Sequence, residues 1–168
     1  MKISRNKINI GQIRTGIGFD IHKFSDNKQK KLYLGGVKFE FRGLEGASRD
    51  ADVVLHAIAD SLLGASSLPD IGSIFPSDKC KGISSKKILR SVKRLLDSKS
   101  VRIEFIDCVI IAQEPKLGKS IEKMRSNIAK ILIVEKEKIS IKAKSPEGVG
   151  SLGKGEGISA IAVSTVKL

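Results

Sequence analysis

Tryptophan is absent from this chain, tyrosine occurs once, and only 4% of its 168 residues are aromatic. The stacking platforms on which single-strand nucleic-acid binders lay successive bases are therefore poorly supplied. Cysteine occurs twice, at Cys80 and Cys108, with no Cys-x-x-Cys pair. Two isolated thiols make no disulfide framework, and a reducing cytoplasm is the expected compartment. No apolar run approaches bilayer-crossing length, so no membrane span is expected. The start of the chain, Met1 to Lys7, is basic but lacks the apolar block and small-residue cleavage site of a secretory signal. Residues 1–12 read instead as an extension ahead of the first strand.

What is present suits one globular domain, residues 13–168, with a core that removes roughly two-thirds of the unfolded surface from water. The net charge of +13, from 31 basic against 18 acidic residues, fits a nucleic-acid surface, an anionic small molecule or plain solvated lysines. The lysines are scattered, as at Lys28, Lys79, Lys86, Lys116 and Lys119, without one tight stripe. That distribution favours solvated faces over a nucleic-acid track.

Residues 13 to 21 alternate, with Ile13, Thr15, Ile17, Phe19 and Ile21 on one side and Arg14, Gly16, Gly18, Asp20 and His22 on the other. The pattern predicts a strand whose apolar face is buried and whose small glycines leave room where Asp20 and His22 project together. Leu32 to Phe41 reads as a second strand, interrupted at Gly35-Gly36 by a bulge or a close backbone approach. Ser25-Asp26-Asn27 supplies the turn between the two. Val53, Ile58, Leu62 and Ala65 predict a helix from about Asp52 to Ser66, with Asp52, His56 and Asp60 on one face. Leu68 to Pro76 reads as an ordered loop. Ser84 or Ser85 caps a helix through Ile88, Leu89, Val92, Leu95 and Leu96. Strands at 101–112, 138–144 and 158–166 and a helix through Ile121, Met124, Ile128, Ile131 and Leu132 complete the chain, with a glycine-rich loop at 145–157. The expected class is α+β, a single mixed-sheet domain with helices packed on one face.

The chain holds only two histidines, and both sit where a divalent metal would want them. Asp20 and His22, two apart on a strand, share a face, and a helix carrying His56 could add a third ligand. The bland alternatives are a strand-end hydrogen bond for Asp20 with His22 and a satisfied helix histidine for His56. Asp50, Asp52 and Asp60 fit either the second ring nitrogen of His56 or the positive end of a helix. Glu147 fits a hard cation beside phosphates, or an ordinary exposed loop carboxylate. The glycine-rich stretch after it lacks the Walker pattern, although its amides could still hold a phosphate.

Six ordered segments, Gly18-Phe19-Asp20-Ile21-His22, Leu34-Gly35-Gly36-Val37, Asp50 to Ala57, Asp70 to Pro76, Ala112-Gln113-Glu114-Pro115-Lys116 and Gly153 to Gly157, together resemble the 2-C-methyl-D-erythritol 2,4-cyclodiphosphate synthase family. These are the cyclising enzymes of the non-mevalonate isoprenoid pathway. The resemblance covers nearly everything after residue 12. It implies that Asp20, His22 and His56 hold zinc, with a substrate phosphate oxygen as the fourth ligand, and that Glu147 helps hold magnesium or manganese. The implied substrate is 4-diphosphocytidyl-2-C-methyl-D-erythritol 2-phosphate, whose 2-phosphate attacks the β-phosphorus and expels CMP.

By position, the resemblance puts Asp70, Ile71 and Gly72 against the methylerythritol, with Phe75, Pro76, Ser77, Asp78 and Lys79 in the loop beside it. Ala112, Gln113, Glu114, Pro115, Lys116, Leu117 and Gly118 would form the cytosine pocket. Lys144, Ser145, Pro146 and Glu147 would meet the diphosphate, and Ser151 and Lys154 would add phosphate contacts. Catalytic positions fall on Ser48, Arg49 and Ser145. There the chain departs from the family, which usually carries His-Ser before Asp50 and a threonine at the place of Lys144. The resemblance further implies a homotrimer with active sites between neighbours, and an isoprenoid diphosphate held on the trimer axis by groups such as Lys154. A nucleic-acid module would leave the ligand motifs idle, and a structural zinc domain would close its coordination with a fourth protein ligand.

Overall fold

The computed structural model describes residues 11–76 and 82–168. Most of the expected extension, along with Ser77, Asp78, Lys79 and Cys80, lies outside the described residues. The chain runs β1 (Ile13–Lys23), β2 (Lys31–Leu34), β3 (Val37–Arg42), α1 (Val53–Ala65), α2 (Ile71–Ile74), α3 (Ser85–Ser98), β4 (Arg102–Ile111), α4 (Ile121–Leu132), β5 (Ile139–Lys144), α5 (Gly150–Gly153) and β6 (Gly157–Lys167). A four-stranded sheet has the order β1-β6-β4-β5. The β4–β5 pair, joined through α4, is parallel, and the other two pairs are antiparallel.

The expected long strand at 32–41 is two strands, because Gly35 and Gly36 take φ of 55° and 71° and turn the chain into a hairpin. Two consecutive left-handed residues make the tight turn whose twist matches antiparallel strands, and glycine reaches that region without a Cβ clash. The close approach is present as well, since a Cβ at Gly35 would stand 2.7 Å from Met124 Cβ. The loop at 68–76 contains the single turn α2, and the glycine-rich stretch contains the single turn α5.

The orientation of β1 reverses the expectation from its sequence. Ile17 is 70% exposed and Phe19 56%, while the glycine side carries the helix. A Cβ on Gly16 would overlap the Ala65 amide, and one on Gly18 the Ala57 carbonyl. The glycines therefore leave room for the backbone of α1 rather than for an open site. Across the sheet the same inward face is completed by Ile106, Cys108 and Ile110 of β4, Ile139 and Ile141 of β5, and Ala160 and Ala162 of β6, all buried. Leu55, Ile58, Leu62 and Leu63 of α1 have no exposed surface, and each such side chain contributes about 1.5–3 kcal/mol. Small residues on β6 let α1 sit close, with Ser61 Oγ 2.5 Å from Ser164 Oγ.

Candidate metal centre

Asp52 caps α1, its carboxylate accepting the Val54 and Leu55 amides at 3.2 Å each and the turn amides of Gly35 and Gly36 at 2.9 and 2.7 Å. Burial pushes this carboxyl up, while four backbone donors and the start of a helix favour its charge. Its work is to fix where α1 begins relative to the hairpin. With that start fixed, and α1 lying on Gly16 and Gly18, His56 falls in the first turn directly over Asp20.

Asp20 Oδ2 lies 2.8 Å from His56 Nδ1 and 3.2 Å from His22 Nε2. One ligand atom from each of the three residues can be chosen so that all lie within 4.8 Å of one another. The rings of His22 and His56 meet edge to face, 5.9 Å between centroids. Burial works against the Asp20 charge, but hydrogen bonds and charge from His22 and His56 outweigh it and hold the carboxyl well below the usual range. Burial likewise lowers His56, and the bond to Asp20 with the charges of Asp20, Asp52 and Asp50 overcomes it and raises the imidazole. A cation replacing the shared proton would meet one carboxylate oxygen and two imidazole nitrogens, a donor set that fits zinc and similar divalent ions. Among the described residues no fourth histidine, cysteine or carboxylate joins the group.

The three side chains open into a cavity of about 290 Å³, lined also by Ala47, Ser48, Ile71, Gly72, Phe75, Ile83 and Ile88. Of the expected sugar contacts, Ile71, Gly72 and Phe75 stand at this cavity. Asp70 is the α2 cap, accepting the Ser73 amide at 2.7 Å. Ser48 is buried on the cavity wall, whereas Arg49 is exposed and not among the lining residues. A larger groove of about 860 Å³ lies elsewhere, between the C-terminal ends of α3 and α4. It contains none of the expected site residues, and Lys93, Lys136 and Lys138 on its wall already pair with Asp97, Glu122 and Glu104.

A second group gathers apart from this cavity. Gln113 Oε1 accepts the Ser145 hydroxyl at 3.3 Å and the Gly148 amide at 3.4 Å, joining the 112–118 segment to the 144–147 turn. Glu147 is exposed at φ 51°, and Ser145 Oγ accepts its amide at 3.1 Å. Holding a non-glycine residue there costs about 1–2 kcal/mol, and the Ser145 and Gln113 bonds sustain it. Ser151 and Lys154 are exposed in and after α5.

The three aspartates near His56 divide three ways. Asp52 is the helix cap. Asp60 accepts the Ile71 amide at 2.8 Å and thereby anchors α2 at the cavity. Asp50 reaches His56 through Ser85, whose hydroxyl is 2.9 Å from His56 Nε2. Sequence reasoning missed Ser85, reading it only as a possible helix cap. Ser84 is the cap, accepting the Lys87 amide at 3.4 Å, and no spacing signal distinguishes the two serines.

A family model described as the YgbB family matches residues 13–167. A 2-C-methyl-D-erythritol 2,4-cyclodiphosphate synthase from Clostridium botulinum is 50% identical over 157 residues, which cover 92% of this chain and 98% of that protein. The protein of the same name from Clostridium acetobutylicum is 48% identical over 150 residues, covering 88% and 95%. Among solved structures, IspF of Plasmodium falciparum in a CDP complex superposes with a TM-score of 0.82 at 34% identity, covering 94% of this chain and 97% of that one. The bifunctional IspDF from Campylobacter jejuni gives 0.88 at 34% identity, covering 94% of this chain but 42% of that longer one. Matched from its first strand to its last, and alike in fold, the chain belongs to the YgbB family, alongside the 2-C-methyl-D-erythritol 2,4-cyclodiphosphate synthases.

Proposed function

We infer that this chain converts 4-diphosphocytidyl-2-C-methyl-D-erythritol 2-phosphate into 2-C-methyl-D-erythritol 2,4-cyclodiphosphate and CMP. It does so in the cytoplasm, for non-mevalonate isoprenoid precursor biosynthesis. The observation that carries this reading is the convergence of Asp20, His22 and His56 within 4.8 Å at the wall of an open cavity, in a chain 48% identical to a synthase of that name.

Asp20, His22 and His56 would hold zinc, and Glu147 would contribute one carboxylate to magnesium or manganese beside the diphosphate. When bound, the two cations neutralise the charge that builds on the phosphates during transfer. The protein's own share is positioning. A 2-phosphate oxygen forms its bond to the β-phosphorus as the bond to the CMP oxygen breaks, so nucleophile and leaving group belong to one molecule. Holding its two ends together supplies effective molarity rather than a base. Asp70, Ile71, Gly72 and the segment from Phe75 to Lys79 would grip the methylerythritol. Ala112 to Gly118 would take the cytosine, with Lys144, Ser145, Pro146, Ser151 and Lys154 on the phosphates. Ser48 stands on the cavity wall beside His56, where a substrate phosphate would come; Arg49, exposed one residue on, would supply charge rather than a buried contact.

The active unit would be a homotrimer. Two features support it: Ile17, Phe19, Ile21, Phe105 and Val163 form an exposed apolar sheet face, and the Gln113–Ser145 group does not line its own chain's metal cavity. Apolar patches of this kind mark interaction surfaces, and a neighbour could bring its nucleotide and diphosphate contacts to the metal. Lys154 would lend charge to an isoprenoid diphosphate on the axis. No helix among the described residues is long and apolar enough to cross a membrane. The test is CMP release from the cytidylyl substrate by zinc- and magnesium-loaded protein; no CMP and no cyclic product would overturn the reading.

A further inference from the structure

We propose that Ser85 and Asp50 are positioning residues, a buried relay that fixes the hydrogen of His56 on Nε2 and so keeps Nδ1 as the atom offered to the metal. This rests on the reading of Asp20, His22 and His56 as ligands. Asp50 Oδ1 receives both the amide and the hydroxyl of Ser85, at 2.8 Å each. A carboxylate only accepts, so the single hydroxyl hydrogen of Ser85 is committed to Asp50. Two lone pairs remain on Ser85 Oγ. The Asp52 amide takes one at 3.2 Å, and His56 Nε2 faces the other at 2.9 Å. With its own hydrogen spent, Ser85 can only accept from the ring, which requires hydrogen on Nε2. Nδ1 is the nitrogen 2.8 Å from Asp20 Oδ2, on the side where the three ligand atoms converge.

The relay is built rather than incidental. Ser85 has no exposed surface, Asp50 is nearly buried, and Ser85 opens α3, so the bond ties the start of that helix to the ligand on α1. Ser48 Oγ also accepts the Ala51 amide at 3.0 Å, and at 3.3 Å from His56 Nε2 it makes a longer contact than Ser85 at 2.9 Å and is the poorer partner. Outer partners of this kind orient metal-bound imidazoles, and removing one typically lowers metal affinity about 10- to 100-fold.

Two measurements test it. Zinc affinity is determined by chelator competition for wild type, Ser85→Ala, Asp50→Ala and Ser85→Thr. Losses of about 10- to 100-fold are expected in the first two variants, with recovery in Ser85→Thr, which keeps a hydroxyl. The ring spectrum of nitrogen-15-labelled wild-type protein should show a His56 Nε2–H resonance protected from water, with and without zinc, that disappears in Ser85→Ala. A rapidly exchanging ring hydrogen in wild type, or unchanged zinc affinity in folded Ser85→Ala and Asp50→Ala, overturns the relay. Failure of wild type to take up zinc instead overturns the ligand reading, and the ring spectrum of the metal-free protein still decides the relay. The wild-type spectrum needs no variant to fold.

Discussion

Asp20 and His56, thirty-six positions apart in sequence, meet with Oδ2 2.8 Å from Nδ1, one on a strand and the other in the first turn of the helix lying across it. Without a cation this is an ion pair inside a partly closed cavity. With one it would become two of three ligands.

The ion pair gives the metal-free protein a defined pH dependence. The Asp20 pKa is depressed from 3.8, so its contribution is present above that value and is lost as pH falls through the folded value. The His56 pKa is raised from 6.5, so its contribution is complete below that value and is lost as pH rises through the folded one. Denaturant unfolding of metal-free protein should therefore show stability falling from neutral toward alkaline pH. Zinc binding displaces protons, so zinc affinity should rise over the same range. Metal-free stability that climbs with alkalinity would contradict the pair.

Gly18→Ala should destabilise the fold by at least ~2 kcal/mol, because its Cβ meets backbone atoms of α1 that no rotamer change can move. Zinc affinity should fall with it, since lifting α1 carries His56 away from Asp20. Denaturant unfolding alongside zinc competition checks both, and a neutral substitution would show that α1 does not rest on that glycine.

Much of this was readable beforehand, and the failures have physical causes. Alternation along β1 separated its two faces correctly, and placed Asp20 and His22 together. It could not say which face turns inward, because hydrophobicity alone favours the Ile17 and Phe19 side. The deciding fact is that a helix backbone needs the missing side chains of Gly16 and Gly18. Ser85 was illegible for another reason: its role exists only once α3 starts beside α1, and next to the true cap Ser84 it carries no distinguishing pattern. Periodicity puts Asp60 on the right helix and near the site, but its partner, the Ile71 amide, appears only in three dimensions.

The apolar face that periodicity assigned to the core should be covered by other copies of the chain. Light scattering on a sizing column should give a trimer for wild type and a folded monomer for Ile17→Glu, with catalysis lost and a folded metal cavity retained. A wild-type protein that runs as a monomer would leave Ile17, Phe19 and Val163 without that explanation.

Glu147→Gln keeps the shape of the turn and removes its charge. Zinc content should stay at the wild-type level while the rate drops by at least about tenfold, or ~1.4 kcal/mol, with a weaker response to magnesium. An unchanged magnesium titration would remove Glu147 from the second cation.

The most direct test compares wild type with His56→Ala, measuring zinc content and CMP release on the same samples. Wild type should bind zinc and release CMP with formation of the cyclic diphosphate, whereas the variant should remain folded and do neither. Full turnover by zinc-free His56→Ala would contradict the account at its centre.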